Sequence, residues 1–86
     1  MEEKTVQERV IKVLSERLGI DAATITSESP LSGSPMNINW ADVVERVEFV
    51  LDLENEFGLE YIDDETNGSW QTIADIIAYF ESVAHS

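Results

Sequence analysis

The chain has 86 residues, with 5 Lys or Arg against 18 Asp or Glu, for a formal charge of −13. Its 43% of hydrophobic residues supplies the core of one small domain over 1–86, which is expected to fold rather than stay disordered. The acidity excludes binding to nucleic acid or to anionic membranes, both of which need clustered Lys and Arg, and favours basic partner surfaces met in salt-sensitive encounters.

Cysteine is absent, which excludes disulfides, thiolate catalysis and cysteine-ligated zinc. The one histidine, His85, excludes a multi-histidine metal site and a histidine-based triad. Met1-Glu2-Glu3-Lys4 lacks the basic start and apolar run of a signal peptide. No apolar run approaches the length of a membrane span. The expectation is a soluble, cytoplasmic, monomeric protein without membrane insertion.

Residues 4–19 read as an amphipathic helix. Val6, Val10, Val13, Leu14 and Leu18 form one stripe at i, i+4, i+7 and i+8 spacing, with Ile11 beside it and Gly19 as the stop. Residues 21–38 hold Pro30, Gly33, Pro35 and four serines, a composition that predicts a long loop. Ile25 and Leu31 are its isolated apolar residues, placed to pin it to the core. A second helix is predicted from about Asn39 to Phe57, opened by Asn39 and Asp42 as a capping box and closed by Gly58. Trp40, Val44, Val47 and Leu51 form one apolar row of it; Val43, Val50 and Phe57 form a second, and Phe49 and Leu53 a third. Its polar strip is Glu45, Glu48, Asp52, Asn55 and Glu56, with Arg46 as the only basic residue. Residues 61–65 read as one turn or an irregular segment, and Asn67-Gly68 as a turn. A last helix is expected over about 70–83, capped by Ser69, with Ile73, Ile76, Ile77 and Phe80 facing the core. The fold class is therefore all-α, three strong helices and a short one forming a bundle. Its expected core is Val6, Val10, Val13, Leu14, Leu18, Val47, Val50, Leu53, Phe57, Ile73, Ile77 and Phe80.

Asp63, Glu65, Asn67 and Gly68 match positions one, three, five and six of a calcium loop. Position twelve, which needs a bidentate Glu, is Ala74, so the segment reads as an acidic turn and no metal site is assigned. The pairs Glu54/Glu56 and Asp63/Asp64 follow from composition. No nucleophile, base and orienting group can be assembled, so no catalytic residue is assigned and the protein is not expected to be an enzyme. The acidic face of the second helix is more informative. Glu48/Asp52 and Asp52/Glu56 are like charges at i, i+4, which repel by a few tenths of a kcal/mol each. Beside exposed valines, that pattern points to a surface for a basic partner.

Three segments carry a family resemblance. Residues 5–20, from Thr5-Val6-Gln7-Glu8-Arg9-Val10 to Leu18-Gly19-Ile20, resemble the first helix of acyl carrier proteins. Residues 42–57, from Asp42-Val43-Val44-Glu45-Arg46-Val47 to Glu54-Asn55-Glu56-Phe57, resemble their second, recognition helix, and residues 72–80 their last. The resemblance implies an acyl-carrier-protein-like four-helix bundle with a long loop between helices 1 and 2, the loop about four residues longer than usual. It also implies work in fatty-acid, polyketide or related lipid biosynthesis. Partner docking would fall to Val44, Glu45, Val47, Glu48, Leu51 and Asp52, meeting basic surfaces of acyl-handling enzymes or synthase subunits.

The family attaches 4′-phosphopantetheine to the Ser of an Asp-Ser-Leu motif at the start of the second helix. Aligned on Glu48 and Phe57, that motif falls on Asp42, Val43 and Val44. Val43 takes the place of the attachment Ser, so the cofactor is not expected on this chain. An alignment slipped by one turn places Asn39 there, which also lacks a hydroxyl. Ser34 is the nearest other hydroxyl. The resemblance thus implies an atypical carrier, or an unmodified acidic interaction or regulatory module that keeps the carrier fold without acyl transfer.

Overall fold

The structure, a computed structural model, describes residues 5–59 and 61–84. The expected start of the first helix at Lys4 and the position of His85 lie outside the described residues. Among the described residues there are four helices: α1 (Val6–Leu18), α2 (Val43–Phe57), α3 (Asp64–Gly68) and α4 (Ile73–Ala84), with a 3-10 turn at Ala22–Thr24 after α1. The all-α bundle expected from the sequence is what forms, and α1 packs on both α2 and α4.

Local chemistry sets the ends of α1. The Thr5 hydroxyl accepts from the Glu8 N–H, and the Glu8 carboxylate accepts from the Thr5 N–H at 2.9 Å, a reciprocal box that satisfies two otherwise orphaned donors. Gly19 stops the helix in the left-handed region at φ 72°, its N–H returning to the Ser15 carbonyl. Gly58 closes α2 in the same way at φ 69°.

α2 starts four residues later than the sequence suggests. Asn39 does not cap it. The N-cap is Asp42, whose carboxylate accepts from the Val44 N–H at 3.0 Å. Residues 38–42 turn instead, with the Trp40 N–H on the Ile38 carbonyl and the Asp42 N–H on the Asn39 carbonyl. Trp40 therefore is not part of a helical row. It drops into the core from the turn, its ring against Phe49 and Trp70.

The last helix also starts later. Ser69 does not cap it but closes α3, its hydroxyl donating to the Thr66 carbonyl at 2.8 Å. The Asp75 carboxylate accepts from the N–H groups of Gln71 and Thr72 at the entry to α4. The next two donors, Ile73 N–H and Ala74 N–H, go to the carbonyls of Ser29 and Ser27. The long loop thus satisfies helix-end donors that would otherwise be orphaned. It is held there by the Leu31 N–H on the Gln71 carbonyl at 2.9 Å and by burial of Ile25, Leu31, Met36 and Ile38.

Val10, Leu14, Val50, Leu53, Ile73, Ile77 and Phe80 are buried as expected, while Val6, Val13, Leu18 and Phe57 pack at the margin of the core. Val47 is half-buried and outside the buried cluster. The core also takes Ile62 from the segment before α3 and Trp70 from the turn before α4. Burying a side chain of this size contributes about 1.5–3 kcal/mol, so these irregular segments hold the bundle together as the helices do.

Candidate functional site

The face of α2 that turns to solvent is apolar and acidic together. Val44 is 73% exposed and Leu51 51%. Glu48 is also exposed and, at i+4 from Val44, lies on the same face. Asp42 caps the helix and Val43 opens it, 51% exposed. Glu45 is half-buried, its carboxylate accepting the Asn39 N–H at 2.8 Å. Val47 and Asp52 are half-buried at the two flanks. The side chain at Val43 carries no oxygen. Ser34 is exposed in the turn 32–36, ahead of a cis peptide bond to Pro35.

The sequence missed what pairs the carboxylates of this face. Arg17 reaches across from α1: its Nη1 donates to Glu48 Oε1 at 3.2 Å, its Nη2 to Asp52 Oδ1 at 3.2 Å, and its Nε to Asp52 Oδ2. The hydrogen bond to Asp52, helped by the charges of Asp52 and Glu48, holds the guanidinium above its ordinary pKa. One end of α2 is tied similarly, by Arg9 Nε on Glu56 Oε2 at 2.9 Å, with the guanidinium 4.3 Å from the centre of the Phe57 ring. The like charges of the second helix are thus not left to repel one another. Arg9, Val13 and Arg17 follow i, i+4, i+8 spacing on one flank of α1, the one signal from which this pairing was readable. Arg17, Asp52, Glu56, Glu16, Asn55 and Val13 line an open groove of about 490 Å³ between the two helices.

Arg46 does not belong to the polar strip. It is only 8% exposed and points inward, its Nε donating to Asn67 Oδ1 at 2.8 Å and its Nη1 to the Trp40 carbonyl at 2.9 Å. Asn67 completes the network with its Nδ2 on the Ile62 carbonyl and its own carbonyl accepting from Trp40 Nε1 at 2.7 Å. A buried guanidinium held by neutral oxygens is costly unless its hydrogen bonds are made, and this network makes them. Glu54 is buried as well, accepting the Ile62 N–H at 2.7 Å, so it does not pair with Glu56. Asp63 is taken up in capping α3: its carboxylate accepts the Thr66 hydroxyl at 2.7 Å and the Thr66 N–H at 3.3 Å. Those bonds, the Thr66 side chain first, hold the Asp63 pKa below the usual aspartate range.

These features define a small, acidic four-helix bundle built around one display helix. No helix among the described residues is long and apolar enough to cross a membrane. The chain is 35% identical over 80 residues to an acyl carrier protein of Azobacteroides pseudotrichonymphae, covering 93% of this chain and 89% of that protein. It is 34% identical over 73 residues to an acyl carrier protein of Thermotoga maritima, covering 85% and 84%. No family model matches the chain. The chain belongs to the acyl carrier protein family. Its relatives are named as carriers, and membership implies the family's 4′-phosphopantetheine arm and a role beside acyl-handling enzymes.

Proposed function

We propose that this chain is a single-domain, atypical acyl-carrier-family protein of fatty-acid, polyketide or related lipid biosynthesis. It works as a soluble, monomeric cytoplasmic protein that docks basic surfaces of partner enzymes through Val44, Glu45, Val47, Glu48, Leu51 and Asp52. The observation that supports docking is an apolar stripe beside carboxylates on the solvent side of α2.

Val43 stands, on this reading, where the family's attachment Ser stands, between Asp42 and Val44. Bound at that position, the phosphopantetheine arm supplies the thiol that holds an acyl chain. Attachment needs a hydroxyl oxygen to attack the pyrophosphate of coenzyme A, and a valine has none. The side chain present does not fit the group, although the surroundings do: a capped, exposed first turn with an apolar residue after it. The same missing oxygen supports a second reading, an unmodified interaction or regulatory module. The mass of protein purified from its native host separates the two. A phosphopantetheine adduct supports carrier work, through a residue such as Ser34; its absence supports the module.

Incubation with coenzyme A and a broad-specificity phosphopantetheinyl transferase, read by intact mass, tests the placement. The wild type is expected to stay unmodified and Val43→Ser to be modified at least in part. The exchange should cost less than about 1 kcal/mol at so exposed a position. Modification of the wild type overturns the assigned defect. An inert Val43→Ser means that either the alignment that places the site at Val43 or the surface around it has diverged from the family's.

A further inference from the structure

Every carboxylate from Asp42 to Glu56 already has a partner inside the protein. Asp42, Glu45 and Glu54 accept from the backbone N–H groups of Val44, Asn39 and Ile62. Such bonds belong to the fold, and a partner meets only the oxygens that they leave over. Glu56 holds Arg9, which is anchored a second time by the Glu56 carbonyl and lies over the Phe57 ring. Glu48 and Asp52 are different. Their hydrogen bonds to Arg17 join side chain to side chain in an exposed setting, and the guanidinium is 5.9 Å from the centre of the Phe49 ring. Arg17 can leave these bonds for water by side-chain rotation alone.

The arrangement also shows what this place holds. Three N–H groups of one planar guanidinium meet three carboxylate oxygens, two of them in the paired contact with Asp52 that a lysine ammonium cannot reproduce. Glu48 lies between Val44 and Leu51 in the exposed sector of α2, so a side chain reaching it arrives beside both.

We infer that Arg17 is an internal competitor for the docking face: an arginine of the partner replaces it between Glu48 and Asp52, and Arg17 swings into solvent. This rests on the docking reading above and gives it a regulator and a preferred partner chemistry. One exposed ion pair is lost for each one gained, so the exchange adds little net electrostatic affinity. Apolar contact with Val44 and Leu51 then carries the binding, and arginine is preferred to lysine. Without Arg17 the two carboxylates are free, and attraction to a basic partner becomes stronger and more salt-dependent.

The probe is an amidated 12-residue amphipathic helical peptide with leucines on one face flanked by three arginines, alongside its lysine counterpart. Binding is followed by amide chemical shifts at low ionic strength. In Arg17→Gln the arginine peptide is expected to bind tighter than in Lys12→Gln, by up to roughly five-fold over wild type, with a steeper salt dependence, the ceiling set by an exposed ion pair. Lys12→Gln removes the same charge from α1 away from this face and controls for net charge; its effect should stay below about two-fold. Adding Glu48→Gln and Asp52→Asn to Arg17→Gln should abolish the gain. Equal tightening in Arg17→Gln and Lys12→Gln overturns the exchange. Binding that maps to α2 and needs Glu48 and Asp52, yet is unchanged in Arg17→Gln, overturns the exchange and leaves the docking reading standing. Shifts that avoid α2, or indifference to Glu48 and Asp52 in both backgrounds, overturn both.

Discussion

Asn67→Ala tests the junction of α2, α3 and the turn that carries Trp40. Asn67 is 2% exposed. Truncation removes the acceptor for Arg46 Nε, bonded at 2.8 Å, and the donor to the Ile62 carbonyl at 3.2 Å; the backbone bond from Trp40 Nε1 survives. A hydrogen bond to a charged group contributes about 1.5–3 kcal/mol and a neutral one about 1 kcal/mol. The loss should be roughly 2.5–4 kcal/mol, a large share of the ~5–15 kcal/mol that holds a domain folded. In a protein of this size that lowers Tm by roughly 10–30 °C. Thermal and urea unfolding followed by circular dichroism and by the fluorescence of Trp40 and Trp70 measure it. Asn67→Asp keeps an acceptor for Arg46 and loses only the donor, so it should be the milder change. An Asn67→Ala protein within about 1 kcal/mol of wild type, with an unchanged urea slope, would refute the idea that this network stabilises the fold.

Two further outcomes concern helix ends. Gly58→Ala places a side chain in the left-handed region, and the new Cβ meets nothing within 4 Å, so the cost is backbone strain alone, about 1–2 kcal/mol by urea denaturation; a loss well beyond that would mean crowding the structure does not show. Asp63 has a native pKa below its unfolded value, so its contribution is present above the ordinary aspartate pKa of about 3.9 and is lost as pH falls through the lower native value. Thr66→Val removes the largest cause of that depression and should flatten the acid limb of the stability curve below that pKa. Superimposable acid limbs for wild type and Thr66→Val, read by circular dichroism, would count against the assignment.

Much of the fold was legible along the chain because its causes are local. Apolar spacing marked α1, α2 and α4, and Gly19 and Gly58 marked two stops, since period and left-handed glycine each act within a few residues. The starts were less legible. Asn39 and Ser69 have good capping chemistry, yet Asp42 and Asp75 take the N-terminal roles, because nearby residues of equal propensity are chosen by where Trp40 and Trp70 must be buried.

The candidate site divides along the same line. That α2 displays Val44, Glu48 and Leu51, and that position 43 has no hydroxyl, was determined by the sequence itself, through helical period and side-chain chemistry. How the charges of that face are paired was decided only by tertiary structure. Arg17 lies 31 positions from Glu48 and 35 from Asp52, and Arg9 lies 47 from Glu56. Arg46 looked like a surface cation on its own helix and became a buried strut because Asn67, 21 positions on, offers an oxygen inside. Charge pairing depends on distance in space, and helix periodicity reports only distance along one helix, so the partners of these charges stay hidden until α1 and α3 are packed against α2.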